Sequence, residues 1–148
     1  MSGKRRAYKH RLESLLAGTS TGSVREVGGW HERILAGLEF TAVDKLKAHA
    51  ALTDTELARL LGIGEATLRR ARAARSVLDP ATSDRLYRLS KVLAVAEEVL
   101  ADAQQAMNWL RRAQPGLSGQ VPLDLLVTQA GADEVETLLR RIDYGVYT

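Results

Sequence analysis

The 148 residues contain no cysteine, which excludes disulfide staples and thiolate metal ligands. No run approaches the roughly 20 apolar residues that cross a bilayer. The opening MSGKRRAYKHRLESLLAG has a basic head, but its apolar segment is too short and too charged for a secretory signal. A cytoplasmic protein with no membrane partner is the expectation. The glycines of GTSTGS at 18–23 are not followed by Gly-Lys-Ser/Thr, so they read as a flexible linker and not as a phosphate loop. His10, His31 and His49 stand apart, in no His-Glu-x-x-His spacing and beside no plausible nucleophile. No catalytic residue, metal ligand, cofactor or small-molecule substrate is therefore nominated, and the expectation is a non-enzyme. Aromatics are scarce at 5%, and the chain holds only four tyrosines.

What is present is Leu, Ala and charge. Apolar residues make up 45%, enough at this length to bury a core, and Leu and Ala predominate over Val and Ile, which favours helix. The net charge of +3 conceals an asymmetry. Residues 1–30 hold six Lys/Arg against two Glu, and 41–76 hold seven basic against four acidic. Residues 77–148 reverse the sign, with seven basic against ten acidic. A basic front half and an acidic back half suggest two surfaces with different partners.

Helical periodicity runs through nearly the whole chain, and no stretch alternates as a strand does, so the fold class predicted is all-α. Residues 1–17 can form a basic amphipathic helix with Tyr8, Leu12, Leu15 and Leu16 on one side. A short piece follows at 31–40, and Thr41 is the candidate cap for a helix carrying Val43, Leu46 and Ala50. TDTELARLLG opens with Thr53 and places Glu56 three residues on, a capping box. Gly62 stops that helix, and another spans about Gly64 to Arg75. Asp79 then caps, and Pro80 starts, a long helix with a stripe through Leu86, Leu89, Val92, Leu93, Ala96 and Leu100. A helix from about 102 faces Ala106, Trp109 and Leu110 inward. After the loop QPGLSGQV at 114–121, Pro122 starts a short helix over 123–127, and a last one spans about 132–142. In that last helix Asp133, Glu134 and Glu136 suit the positive end of the dipole.

DTELARLLGIGEATLRRARAA reads as a helix-turn-helix. Ala58 supplies the small residue where two helices cross, Gly62 the turn, and Leu57, Leu61, Ile63, Leu68 and Ala71 the buried sides. The competing reading is an unrelated helical hairpin. Thr67, Arg69, Arg70, Arg72 and Arg75 are the candidate DNA-binding residues. Gly64, Glu65 and Ala66 at the helix start offer few base-reading donors, so phosphate attraction is expected to outweigh base readout. Glu65, four residues before Arg69, is placed for an intrahelical ion pair. Lys4, Arg5, Arg6, Lys9 and Arg11 add basic charge, whether for DNA, solubility or dimer formation. A helix-turn-helix usually works as a dimer on two half-sites, so a homo-oligomer is expected.

Farther on, WLRRAQPGLSGQVPLDLLVTQAGADEVETLLRRIDYGVY resembles the C-terminal toxin-binding domain of the Xre/MbcA/ParS antitoxins. The likeness lies in Trp109-Leu110, Pro115, Leu117, Gly119, Pro122-Leu123 and Leu126. It continues through Gly131, Val135, Leu138-Leu139 and the closing Gly145-Val146-Tyr147. With the helix-turn-helix it covers about residues 41–148. One departure is Gln129, where relatives often carry an acidic residue. The resemblance implies an antitoxin that neutralises a RES-type, NAD-consuming toxin and represses its own operon by binding operator DNA. The domains then fall as a basic arm and linker at 1–30, a helix-turn-helix domain at 31–101, and a toxin-binding domain with its tail at 102–148. The rival function is a dimeric helix-turn-helix regulator with no toxin partner.

The greasy ending acquires a use in that frame. After Asp143 the chain can leave its helix at Gly145, freeing Tyr144, Val146 and Tyr147 to enter a cleft on the toxin. The carboxylate of Thr148 suits a site built for the pyrophosphate of NAD. Arg140, Arg141, Tyr144, Gly145, Val146, Tyr147 and Thr148 are the candidate toxin contacts. The opposing expectation is that the tyrosines fold back on their own helices.

Overall fold

A computed structural model describes residues 11–16 and 29–145, and among them every regular element is helical. Two isolated backbone bridges, Glu39–Val77 and Gln114–Gln120, are the nearest approach to a sheet in this part of the chain. The helices are α1 (Gly29–Ala36), α2 (Phe40–Ala50), α3 (Asp54–Leu61), α4 (Glu65–Ala74), α5 (Pro80–Leu100), α6 (Ala103–Leu110), α7 (Pro122–Leu125) and α8 (Gln129–Asp143). A single 3-10 turn, Pro115–Leu117, lies between α6 and α7. No helix of the described residues is long and apolar enough to cross a membrane. Residues 11–15 are helical and bury Leu12 and Leu15, with Leu16 buried just beyond. The rest of the expected first helix, the linker at 18–23 and the basic residues Lys4, Arg5, Arg6 and Lys9 lie outside the described residues.

Packing divides the chain into a unit spanning Glu13–Tyr87 and a second that includes Arg88–Thr148. The division falls inside α5.

In the first unit the caps explain where helices begin. α2 starts one residue before Thr41, and its N-cap is Glu39, in extended backbone and without a side-chain cap bond. The expected Thr41 cap is therefore not formed, because Phe40 is drawn into the core and takes the first helical position. At α3 the capping box forms in full: Glu56 N–H donates to Thr53 Oγ1 at 3.1 Å, and Thr53 N–H to Glu56 Oε1 at 3.0 Å. Gly62 ends α3 in the left-handed region, where its N–H reaches the Ala58 carbonyl. Asp79 caps α5, accepting from Thr82 N–H at 2.8 Å, and these bonds hold its carboxyl below the usual range. Leu38, Leu46, Leu57, Leu60, Leu61, Leu68 and Leu86 fill the core. The segment before α2 is tied to the start of α5 by Leu38 N–H to Ser83 Oγ at 2.9 Å, and by Leu78 N–H to the Leu38 carbonyl at 2.9 Å.

In the second unit, residues 92–97 of α5 are buried without interruption, broader than the stripe the periodicity predicts. Such a stretch is enclosed on all sides and no longer amphipathic. Asp102 caps α6 by accepting from Gln105 N–H at 2.8 Å. α6 turns Ala106, Met107 and Leu110 inward, while Trp109 is half-buried. Thr128 caps α8, its hydroxyl accepting from Gly131 N–H at 2.9 Å, so the last helix starts at Gln129 and not near Ala132. Asp133, Glu134 and Glu136 consequently lie beyond the first turn, and the dipole argument for them fails.

Candidate functional site

Two surfaces carry the residues that the sequence singled out, one in each unit. The first is α4. Gly64 precedes it in extended backbone, and Arg75 closes it in the left-handed region. Leu68 is its one buried residue; Ile63 before it and Ala71 within it are half-buried. The remainder is a solvent-facing strip in which Glu65, Ala66, Thr67, Arg69, Arg70 and Arg75 are all exposed. Arg70 Nη2 donates to Thr67 Oγ1 at 3.3 Å, one turn back. The ion pair expected between Glu65 and Arg69 is not formed among the described residues. Both side chains extend into solvent, where such a pair contributes only a few tenths of a kcal/mol.

Arg72 behaves differently from its neighbours. It lies four residues after Leu68, on the stripe that faces the unit, and it is half-buried. Its Nη1 and Nη2 donate to Asp54 Oδ2 and Oδ1 at 3.0 and 2.9 Å, and its Nε to Asp44 Oδ1 at 3.0 Å. Its guanidinium carbon stands 5.6 Å from the centre of the Phe40 ring. Lys47 Nζ reaches the same Asp54 oxygen at 2.9 Å. The fork of Arg72 and the Lys47 ammonium hold the Asp54 carboxyl far below the ordinary carboxylate range. The paired carboxylates, Asp54 first, hold the Arg72 proton more tightly than usual. The structure thus sets Arg72 apart from the four other side chains named with it. The four-residue step from Leu68 is the local hint in the sequence; the two aspartates that receive the charge lie 28 and 18 residues upstream, outside any local pattern.

The second surface is the outer face of α8. Ala132, Val135, Leu138 and Leu139 bury the inner face against α7 and the 3-10 turn. Opposite them, Asp133, Glu136, Thr137, Arg140, Arg141 and Tyr144 line a shallow, open concavity of about 430 Å³. Its acidic end is tied down. Arg88 Nε donates to Gln129 Oε1 at 3.1 Å, Gln129 Nε2 donates to Asp133 Oδ1 at 2.8 Å, and Lys91 Nζ lies 3.6 Å from Glu136 Oε1. Gln129 thereby bridges a cation and an anion, which a carboxylate in its place, having no N–H to donate, could not do.

The other end of the concavity is open. Arg140 and Arg141 are exposed, and α8 stops at Asp143. Tyr144 N–H bonds the Arg140 carbonyl at 3.0 Å, and Gly145 turns with φ +74°. The Tyr144 ring is 67% exposed, the most solvent-accessible large apolar side chain among the described residues. It does not fold back on the helices. Val146, Tyr147 and Thr148 lie outside the described residues.

The two units coincide closely with two known domain families. Residues 29–91 match the antitoxin Xre-like helix-turn-helix domain, and residues 95–145 match the antitoxin Xre/MbcA/ParS C-terminal toxin-binding domain. The chain is also similar to curated proteins named antitoxin Xre. The one from Pseudomonas putida is 33% identical over 138 residues, covering 93% of this chain and 84% of that protein. The one from Yersinia enterocolitica is 29% identical over 118 residues, 79% of this chain and 80% of that protein. A third, from Photorhabdus laumondii, is 28% identical over 111 residues, 74% and 75% of the two chains.

Proposed function

This chain belongs to the Xre/MbcA/ParS antitoxin family, and on that premise we propose that it neutralises a RES-type, NAD-consuming toxin through the outer face of α8 and the segment 144–148. In the same reading it represses its own operon through α4. The observation that carries the first part is Tyr144. A large aromatic ring stands in solvent at a helix end, flanked by Arg140 and Arg141 over an open concavity.

The energetics favour a deep seat over a loose cover. Burying one tyrosine removes about 150–250 Å² from water. That is roughly 4–6 kcal/mol gross per ring at about 25 cal/mol per Å². Ordering five residues costs on the order of 5–10 kcal/mol in backbone entropy. One ring falls short of most of that range, whereas Tyr144 and Tyr147 together, at about 8–12 kcal/mol gross, match or exceed it. Both rings then act as anchors in the toxin's NAD cleft, with Gly145 providing the bend between them. Arg140 and Arg141 sit at the rim, where charge governs association rate more than affinity.

For DNA, Thr67, Arg69 and Arg70 are exposed on α4 and Arg75 on its C-cap, and three exposed arginines along one helix and its end suit phosphate contact. Two copies of the chain would present two such helices to successive half-sites.

Co-expression with a RES-type toxin, followed by co-purification and measurement of cellular NAD, tests the first part. A stable complex with NAD preserved is the expected result. Toxin that purifies alone and continues to deplete NAD contradicts it, and leaves the dimeric regulator as the better reading. A gel shift on the duplex upstream of the coding sequence tests repression.

A further inference from the structure

We propose that Arg72 is a positioning residue: by tying α4 to α2 and α3, it sets the rotation at which the exposed arginines meet DNA, and does not itself touch the nucleic acid. The inference rests on the DNA-binding reading of α4.

The need for such a tie follows from how little else holds the helix. α4 has ten residues, and Leu68 is its one fully buried side chain. A single leucine anchors a helix but leaves its roll about its own axis weakly fixed, since apolar burial has no direction. A planar guanidinium engaged by both oxygens of a carboxylate does have direction. Here the Asp54 carboxylate takes Nη1 and Nη2, and the Asp44 carboxylate takes Nε from another side. Asp44 belongs to α2 and Asp54 to the first turn of α3. Three helices therefore meet at one side chain, one turn beyond Leu68. Lys47 completes an arrangement of two cations and two anions, which leaves the cluster without surplus positive charge for phosphate.

The Arg72 side chain keeps 29% of its exposure. Partly solvated ion pairs add little net stability. The consequence of the tie is accordingly orientation, and its loss should register in DNA binding more than in unfolding.

Two substitutions separate positioning from phosphate contact because the two roles predict opposite results. Asp54→Asn removes a negative charge from beside α4. Simple electrostatics expects it to strengthen DNA binding; loss of the tie expects it to weaken binding. Arg72→Lys keeps the charge, which suffices for a phosphate, but loses the fork. The measurement is affinity for the duplex immediately upstream of the coding sequence and for a random-sequence duplex, across a salt series. Arg69→Ala serves as the phosphate-contact control, and its salt slope should fall by about one.

The expected result is that Asp54→Asn and Arg72→Lys each weaken binding to the upstream duplex by about tenfold or more, with the salt slope of the parent and unchanged helicity. Asp54→Asn binding as tightly as the parent, or Arg72→Lys retaining full affinity, overturns the proposal. Absence of binding by the parent to either duplex removes the DNA reading itself and the proposal with it. That outcome differs visibly from variants that bind as the parent does.

Discussion

Gly131 lies so close to Leu125 that a β-carbon on it would collide with the Leu125 carbonyl oxygen. The contact is with backbone, so nothing flexible can move aside. Replacement by alanine would normally favour a helix by about 1 kcal/mol. Here the collision wins. Gly131→Ala should destabilise the chain by about 1–3 kcal/mol, the usual cost of overpacking. Thermal unfolding should record a fall of roughly 3–10 °C. An unchanged or raised midpoint would mean that α7 and α8 do not pack as described.

The capping residues give a paired prediction in the other unit. Thr53→Ala breaks a reciprocal cap on α3 and should cost about 1 kcal/mol. Thr41→Ala should stay within about 0.5 kcal/mol, because Thr41 is an exposed second residue of α2 and caps nothing. Chemical denaturation of the two variants side by side checks the contrast.

These caps also show what was legible in the sequence and why. The Thr53–Glu56 box, Asp79 before Pro80 and the Gly62 stop are local chemistry, decided within four residues, and the structure realises all three. Thr128 carries no local signal of its cap because it has no acidic partner three residues on; the residue there is Gly131, whose role is the approach to Leu125. The acidic run at 133–136 then suggested a later start. Proximity in sequence groups Arg72 with Arg69, Arg70 and Arg75. Its separation depends on Asp44 and Asp54, brought to it from 28 and 18 residues away. The sequence places Trp109 inside, whereas Met107, unbranched and adaptable, is buried on α6 beside Ala106 and Leu110, and Trp109 is half-buried.

The Asp54 cluster predicts a pH dependence with a defined sign. Its carboxyl is held below the ordinary aspartate value of 3.8 in the folded chain. A group with a depressed folded pKa stabilises the native state above its unfolded pKa, about 3.9, and that contribution is lost as pH falls toward the folded value. The Arg72 guanidinium remains charged throughout this range. The stability difference between the parent and Asp54→Asn should therefore be constant near neutrality and shrink progressively below about pH 4. Denaturation at a series of pH values measures it. A difference that persists undiminished into strong acid would contradict the ion-pair assignment.

Charge on the exposed strip of α4 should appear in the salt dependence of DNA binding. Arg69→Ala and Arg75→Ala should each lower the slope of log affinity against log salt by about one, and weaken specific and random duplexes alike. A slope unmoved by both substitutions would take these arginines away from the phosphates.

The most direct test of toxin neutralisation is a titration of purified RES toxin, followed by NAD hydrolysis, with the full chain and with a chain lacking residues 144–148. Placement of Tyr144 and Tyr147 in the toxin's cleft predicts that the shortened chain keeps its helicity and unfolding midpoint yet leaves NAD hydrolysis running, while one equivalent of the full chain stops it. Equal inhibition by the two chains at one equivalent would contradict it.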